Sequence, residues 1–384
     1  MDNTTVEVVE DNEHLGQVVS GCRQEEKNID LRLAKARGIL FKLLGPAFSF
    51  KCLLSPVLKL YLFRTFVCPI LRSGLSTFVL RENTLGPLTI FHRKTLRSIL
   101  KLSKTSANCA LYFLCGELPI EGKIHRDVYS VFYSIWNNPD SKIYDLVQYL
   151  LNNSCENSRT WSRFVKQLSA RYNLEDPSKS LAKDPPSQSQ FKEQIITRIT
   201  AFYEKELRIE ASHNSCMEYF NVSVSGLRGR HHPALSNMIT TDEVRTGRCH
   251  LKMLCGDYLT YKKKSDQSGG SPHCRACDEE NQSEDISHIL TQCSAYTAIR
   301  TEILEEIEKL CEKTKSNISF NEIVSDEHEL CQFILDPTSL NLKQRVSPYD
   351  PVLGDLFKSS RILCHKVNNT RWNILNMKKE NRKK

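Results

Sequence analysis

The stretch LGPLTIFHRKTLRSILK, residues 85–101, indicates the fold class of this chain. Its apolar side chains recur at helical spacing, at Leu85, Leu88, Phe91, Ile99 and Leu100. Cationic side chains fall between them, so the predicted helix has one apolar face and one basic face. The cationic residues are Arg93, Lys94, Arg97 and Lys101. A helix of this kind has a core to pack against, which distinguishes it from a disordered basic arm.

Helical patterns continue on both sides of this stretch. Only the first 20 residues differ, because Thr5–Val9 and Gln17–Val19 are rich in β-branched residues and Glu10–Glu13 has turn chemistry, which predicts a short β-hairpin. Two strands alone are marginal, so we expect the hairpin to need further sheet. The sequence therefore predicts a mainly α protein. Caps, glycines and prolines place its other helices at about 30–44, 55–69, 107–115, 119–136, 141–152, 158–172, 188–212, 295–313 and 356–376.

The charge is distributed unevenly along the chain. The 384 residues have a formal net charge of +8. Residues 31–104 hold 14 Lys/Arg and a single acid, Glu82, which gives +13, whereas residues 1–30 sum to −6 and residues 366–384 to +6. A cationic helical layer favours a polyanionic partner, and nucleic acid is the commonest one. A solvated basic face, or a basic face for a protein partner, is the alternative.

The distribution of apolar residues predicts no membrane span. The most apolar segment, Cys52–Leu71, contains Lys59 and Arg64. Because Met1–Glu13 is acidic and has no signal-peptide pattern, we expect an intracellular protein, nuclear or cytoplasmic. In such a reducing compartment the 15 cysteines are expected to be thiols or metal ligands rather than disulfides.

One group of cysteines has the spacing of a metal site. Cys274, Cys277, His288 and Cys293 form the pattern C-x2-C-x10-H-x4-C. Zn²⁺ takes four tetrahedral ligands, and two thiolates two residues apart can bind one edge of it from a tight turn. Residues five apart do not share an α-helical face, so we expect Cys293 just beyond a short helix that carries His288. Four protein ligands favour a structural zinc; His273 as a substitute ligand, or two buried thiols and a surface histidine, are alternatives.

No catalytic pattern accompanies this site. The chain has no adjacent Asp-Asp pair, as a two-metal polymerase or nuclease would favour, and no P-loop, G-x-S-x-G or H-E-x-x-H motif. We therefore predict no catalytic residues.

Two flexible stretches are predicted from proline, serine, glycine and lysine content, a linker at 176–190 and a second segment at Lys262–Pro272.

Several short motifs occur in a fixed order along the chain. They are Glu13-His14-Leu15-Gly16 followed by the basic segment 30–37, Tyr61–Leu71 followed by Gly74, Arg93-Lys94 with Leu96-Arg97, Gly116–Ile120, and Arg245-Thr246-Gly247 ahead of the cysteine pattern, Tyr296 and Arg300. In this order they resemble the C-terminal part of the non-LTR (LINE-type) retrotransposon reverse transcriptases. In that family a "YLG" strand ends the palm, a thumb helix with the form "lyrtyvlPil.yG" follows, and a zinc-binding region closes the chain.

The resemblance covers about residues 6–310 and has consequences for activity. The family is an RNA-directed DNA polymerase of transposable elements, but its catalytic carboxylates lie upstream of residue 1, and His14 stands where the family usually has an aromatic residue. The resemblance therefore implies a chain that holds a template–primer duplex, element RNA or target DNA and does not polymerise by itself. A separate polymerase chain or a protein partner is a further implied partner. A retained host gene that acts as a zinc-stabilised protein adaptor is the alternative.

The resemblance also implies a division of the chain. It comprises a residual palm hairpin at 1–28, a helical thumb-like domain at 29–175, the linker at 176–190, a helical C-terminal domain with the zinc motif at 191–310, and C-terminal helices with a basic tail at 311–384. It adds four residues to the nucleic-acid contacts expected from the basic helix, Arg32, Lys35, Arg37 and Arg64.

Overall fold

The computed structural model describes residues 10–42, 54–153, 158–277, 279, 282–312, 320–339 and 351–381. These residues are mostly helical, with one two-stranded antiparallel sheet near the N-terminus. The predicted fold class is therefore confirmed. Within this described part, no helix combines the length and the apolar character needed to cross a membrane.

The chain divides into two compact units, and each of them combines separate stretches. Unit 1 comprises Met1–Pro46, Tyr61–Thr95 and Leu118–Glu206. Unit 2 comprises Ala47–Leu60, Leu96–Glu117 and Leu207–Lys384. The contiguous domains expected from the sequence thus differ from the units that the contacts define.

The N-terminal hairpin is shifted relative to its predicted position. Strand β1 is Asp11–His14 and strand β2 is Gln17–Ser20, and Asn12 pairs with Val19. Leu15 and Gly16 form the turn, with φ of 48° and 77°. The prediction of a turn at Glu10–Glu13 was wrong, because a two-residue hairpin needs two positive φ angles and glycine supplies one of them without strain. The predicted strand Thr5–Val9 lies outside the described residues.

A helix supports this hairpin in place of a third strand. Helix α1 runs from Gln24 to Lys42, so it begins before the predicted position near residue 30. The buried Asn28 side chain accepts a hydrogen bond from Val18 N (2.9 Å) and donates one to Val18 O (2.8 Å). The Arg32 guanidinium donates to Gly16 O at 2.5 Å. In the described part of the chain the sheet has only its two strands, and side chains of α1 bond both of them, since Lys27 and Lys35 pair with Asp11 and Glu13 of β1.

Most of the described residues between 56 and 212 are helical. The prediction that Pro69 ends a helix was wrong. A π-helical turn at Phe63–Val67 leads into a further helix, and Pro69 lies in the first turn of that helix, where a backbone N–H group is not needed. The helices agree with the other sequence expectations to within a few residues. They are α2 (Pro56–Leu62), α3 (Cys68–Arg72), α4 (Glu82–Leu100), α5 (Asn108–Cys115), α6 (Ile120–Trp136), α7 (Lys142–Asn153), α8 (Trp161–Arg171), α9 (Pro177–Leu181) and α10 (Gln188–Ser212).

Residues 176–190 are part of unit 1 rather than a linker between units. They contain the short helix α9, in which Pro177 and Leu181 are buried. Aromatic side chains bond the backbone of this segment: Trp136 Nε1 donates to Lys183 O at 2.9 Å and Tyr133 OH donates to Pro186 O at 2.8 Å. The structure therefore corrects the linker interpretation. Proline and serine content indicated an irregular backbone, but it could not reveal the donors that hold that backbone in place.

A buried polar chain links three helices in the core of unit 1. His125 Nδ1 on α6 lies 2.6 Å from Tyr172 OH at the end of α8, and Tyr172 OH donates to Tyr203 OH on α10 at 3.3 Å. Burial lowers the pKa of His125 to about 4, while Glu121 raises it and Arg171 lowers it further. The imidazole is therefore neutral in the folded protein at physiological pH.

We expect unit 1 to be sensitive to acid because of His125. A histidine with a folded-state pKa of about 4 and an ordinary value of 6.5 favours folding fully above pH 6.5 and loses this contribution as the pH falls towards 4. The loss is about 3 kcal/mol by linkage. Urea unfolding between pH 7 and pH 4, followed by the fluorescence of Trp136 and Trp161 in a Trp372→Phe background, measures it. The variant His125→Gln should flatten the pH dependence, and an unchanged slope would contradict the assignment.

The remaining helices belong to the C-terminal stretch of unit 2. The segment predicted to be flexible at Lys262–Pro272 instead contains most of a helix, which Thr260 caps by accepting a hydrogen bond from Lys263 N. A 31-residue helix ends the described chain. The helices are α11 (Thr241–Leu254), α12 (Tyr261–Ser268), α13 (Thr297–Glu312), α14 (Phe320–Val324), α15 (Glu327–Leu335) and α16 (Pro351–Asn381).

Candidate metal centre

The four residues of the C-x2-C-x10-H-x4-C pattern converge on one buried point of unit 2. The ligand atoms of Cys274, Cys277, His288 and Cys293 all lie within 4.8 Å of one another. The Sγ atoms of Cys274 and Cys293 are 3.9 Å apart, and Cys277 Sγ is 3.5 Å from His288 Nε2. Tetrahedral bonds of about 2.3 Å to sulfur and 2.0–2.1 Å to nitrogen would separate such pairs by roughly 3.8 and 3.5 Å. The side chains can therefore hold one metal ion.

A tight turn positions the two cysteines of the first pair. Ala276 N donates to Cys274 Sγ at 3.4 Å, as expected when a sulfur sits at the start of a turn around a metal. Backbone bonds fix the base of this turn, because Cys274 N donates to Gln282 O and Glu284 N donates to Pro272 O, both at 2.8 Å. The C-x2-C segment is thus held in place by the backbone of residues 282–284.

A π-helical turn positions the second pair. Residues His288–Gln292 are π-helical, and Cys293 N donates to His288 O at 2.7 Å. His288 and Cys293 are five residues apart and would not share a face of an α-helix. The prediction that Cys293 lies just beyond a short helix that carries His288 is confirmed. The i→i+5 bond of the π-turn brings residues five apart onto the same side. Arg300 donates to the carbonyls of Thr291 and Cys293 and so closes the end of the turn.

The electrostatics of the site favour a thiolate that can bind a cation. Hydrogen bonds from Cys293, from His288 and from the backbone of Cys277 and Ala276 lower the pKa of Cys274. The hydrogen bond between Cys274 and Cys293 raises the pKa of Cys293, and the hydrogen bond between Cys274 and His288 raises the pKa of His288. Because a metal replaces protons on its ligands, binding at this site should release protons.

A buried ion pair lies beside the four ligands. Glu284 Oε2 is 3.9 Å from Cys274 Sγ, and Arg371 on α16 donates to the Glu284 carboxylate at 2.5 and 3.2 Å. Tyr261 N also donates to this carboxylate, at 2.8 Å. Burial raises the pKa of Glu284, whereas Arg371 lowers it. The sequence analysis did not identify this pair, because the two residues are 87 positions apart and neither belongs to a ligand motif.

The hydrogen bond of the histidine ligand fixes its orientation. His288 Nδ1 lies 3.4 Å from Gln292 Oε1, so Nδ1 carries the proton and Nε2 faces the cysteines. Asp285 Oδ1 accepts from His288 N at 2.8 Å and caps the π-turn. The alternative ligand His273 is exposed and lies outside the cluster.

The basic residues expected to contact nucleic acid fall into three groups. The first group makes hydrogen bonds within the fold. Arg32 donates to Gly16 O, and Arg97 donates to Ser106 O (3.1 Å) and Asn108 Oδ1 (2.7 Å). Three others are half-buried and make further interactions within the protein, Arg64, Arg93 and Lys101. The three exposed ones are Lys35, Arg37 and Lys94.

Comparisons with known proteins add no identification. The scan against protein-family models, the search of curated proteins and the search of solved structures find no match to this chain.

Proposed function

We propose that this chain is a nucleic-acid-binding C-terminal portion of a non-LTR retrotransposon reverse transcriptase, and that it does not polymerise by itself. One observation carries the proposal: the four residues of the cysteine–histidine pattern meet at a single buried site, at the place in chain order where the resembling family has its zinc-binding region. The order of the other motifs along the chain supports it. A nuclear or cytoplasmic location stays a prediction.

We infer that the metal is zinc and that its role is structural. Three thiolates and one imidazole are soft to borderline ligands, and a tetrahedral set of this composition is typical of zinc. The protein fills all four positions, so no position is left for a water or a substrate. Its folding role follows, since the ligands come from two turns that a metal would join.

The nucleic-acid role rests on the cationic side chains of unit 1. Helix α4 buries Leu85 and Leu88 on one face, and Lys94 is exposed on the other. Arg37 and Lys94 have no ion-pair partner among the described residues, whereas Lys35 pairs with the exposed Glu13 at 2.7 Å. An exposed pair of this kind contributes little, so a phosphate can compete for the lysine. These side chains are available to a phosphate backbone.

Removal of these three charges should weaken duplex binding strongly. We expect K35Q/R37Q/K94Q to lower the affinity for a 20-bp RNA–DNA hybrid on the order of a hundredfold near physiological salt, because each phosphate contact releases about 0.9 counterion. Fluorescence anisotropy measures the affinity. The matched control K142Q/K192Q/R198Q removes three exposed cations from α7 and α10 of the same unit and should bind nearly as the unmodified chain does. Equal losses in the two triple variants would contradict the proposed surface.

The adaptor alternative has one observation in its favour. Helix α7 exposes Ile143, Leu146 and Tyr149, three to six residues apart on one face and 59%, 56% and 64% exposed. An apolar helix face of this kind suits an amphipathic helix of a protein partner. Such binding would resist salt and would be lost in Leu146→Glu, whereas nucleic-acid binding would respond to salt and tolerate that change.

A further inference from the structure

A cleft in unit 2 lies beside the candidate metal centre and is not explained by it. It has a volume of about 500 Å³ and is formed by α11, by the segment that leads into α12, and by α16. Its lining includes Arg245, Lys252, Lys264, Tyr258, Tyr261 and Trp372. The volume is in the range of sites that take small ligands or one part of a polymer.

The charge of this cleft is positive. Lys252 and Lys264 are exposed, and neither ammonium group has an ion-pair partner among the described residues. Within the part of the chain that the structure describes, Arg245 pairs only with Asp242, at 3.1 Å, and both side chains are more than half exposed, so this pair is weak. The acid in the lining, Asp257, already accepts hydrogen bonds from the backbone and hydroxyl groups of Ser103. The cleft therefore offers uncompensated cations to an anion.

The aromatic residues of the cleft are not equivalent. The Tyr258 and Tyr261 rings are covered by the Arg371 guanidinium, 5.5 Å from each ring centroid. Trp372 follows Arg371 in α16 and is 53% exposed, so a large, flat, apolar ring surface is accessible to solvent. Aromatic faces beside cations are the surfaces on which proteins stack unpaired bases. Trp372 is thus the available stacking surface of this cleft.

We propose that this cleft binds an unpaired nucleotide of a single-stranded nucleic acid. The base stacks on Trp372, and Lys252 and Lys264 contact the adjacent phosphates. A duplex does not fit this chemistry, because the faces of its bases are covered by their neighbours in the stack. The inference rests on the proposed function in that the chain binds nucleic acid, but it assigns a different surface and a different form of the nucleic acid.

The test compares a single strand with a duplex in the full chain. The probes are a 20-nucleotide oligouridylate and the 20-bp RNA–DNA hybrid, both followed by fluorescence anisotropy. We expect Trp372→Ala to weaken oligouridylate binding by about tenfold to a hundredfold, as loss of one stacked base does, and to leave hybrid binding unchanged. Trp372→Phe keeps a ring and should restore most of the affinity. Thermal unfolding checks that both variants fold.

Charge variants supply the second arm of this test. K252Q/K264Q should weaken oligouridylate binding and reduce its salt dependence by about 1.4, at about 0.7 per phosphate of a single strand. The control K309Q/K358Q removes two exposed lysines of unit 2 that do not line the cleft and should have little effect.

Three outcomes would overturn the cleft proposal. If both Trp372→Ala and K252Q/K264Q bind the oligouridylate as tightly as the unmodified chain does, the cleft proposal is overturned. In that case, binding of the hybrid still supports the proposed function. Equal affinity for uridine monophosphate and for oligouridylate overturns it in favour of a mononucleotide site. Binding of neither the oligouridylate nor the hybrid overturns it together with the proposed function.

Discussion

Replacement of Cys293 by alanine is expected to abolish metal binding and to unfold the region around residues 245–310. Cys274 and Cys277 lie in one turn, His288 begins the π-turn at His288–Gln292 and Cys293 directly follows it, and both turns are short elements. Structural zinc contributes roughly 10 kcal/mol or more to the folding of small zinc domains. Without the metal, the thiols of these turns have only weak hydrogen bonds to one another. Cys277→Ala and treatment of the unmodified chain with a chelator should have the same effect.

Amide hydrogen exchange measures this prediction region by region. Protection should be lost at 245–310 and kept at 120–150, where unit 1 has its own core. Cys311→Ala is the matched control, because Cys311 is a buried cysteine of unit 2 outside the cluster. It should retain one equivalent of zinc, measured by mass spectrometry of the metal, and lose only about 1 kcal/mol of stability. A melting curve that a chelator does not change would contradict the metal assignment.

Replacement of Arg371 by leucine is the second change expected to have a large effect. It leaves the Glu284 carboxylate buried, unpaired and 3.9 Å from the sulfur of Cys274. Breaking a buried ion pair from one side costs about 3–5 kcal/mol. Since the carboxylate also lies next to a metal ligand, we expect zinc affinity to fall by about ten- to a hundredfold. Urea unfolding and competition with a zinc-binding dye measure the two effects.

Two further variants separate the ion pair from general packing. Arg371→Leu combined with Glu284→Leu should recover much of the stability, because no uncompensated charge is left in the interior. Arg275→Leu removes another guanidinium that lies over the Tyr261 ring, at 4.7 Å, but uncovers no buried carboxylate. It should cost less than about 1 kcal/mol. A similarly small cost for Arg371→Leu would contradict the role of the pair.

Local patterns in the sequence predicted the helices and the cluster of residues at the candidate metal centre. Helix α6 follows Pro119, and its buried side chains include Ile120, Ile124, Val128 and Phe132, all on the predicted stripe. The four residues of this cluster were recognised because the C-x2-C and H-x4-C spacings are short. In both cases the residues that form the pattern lie within about 20 positions of one another along the chain.

Features that depend on tertiary contacts or on capping geometry could not be predicted. Glu284 meets Arg371 across 87 positions, and nothing local to either residue indicates the contact. Arg32 and Arg97 belong to the basic block, yet each donates to a backbone carbonyl group outside its own helix, at Gly16 and at Ser106. The lysine- and glycine-rich segment 262–272 suggested flexibility, whereas Thr260 caps a helix there. Tertiary contacts and capping geometry decide such cases more than composition does.

The salt dependence of hybrid binding tests the central claim most directly. The affinity of the unmodified, zinc-loaded chain for the 20-bp RNA–DNA hybrid is measured between about 50 and 300 mM KCl. We predict a linear fall of the logarithm of the binding constant with the logarithm of the salt concentration, with a slope of about −3 or steeper, since Lys35, Arg37 and Lys94 each neutralise a phosphate. A slope near zero, or no binding at the lowest salt, would contradict the account of this chain as a nucleic-acid-binding protein.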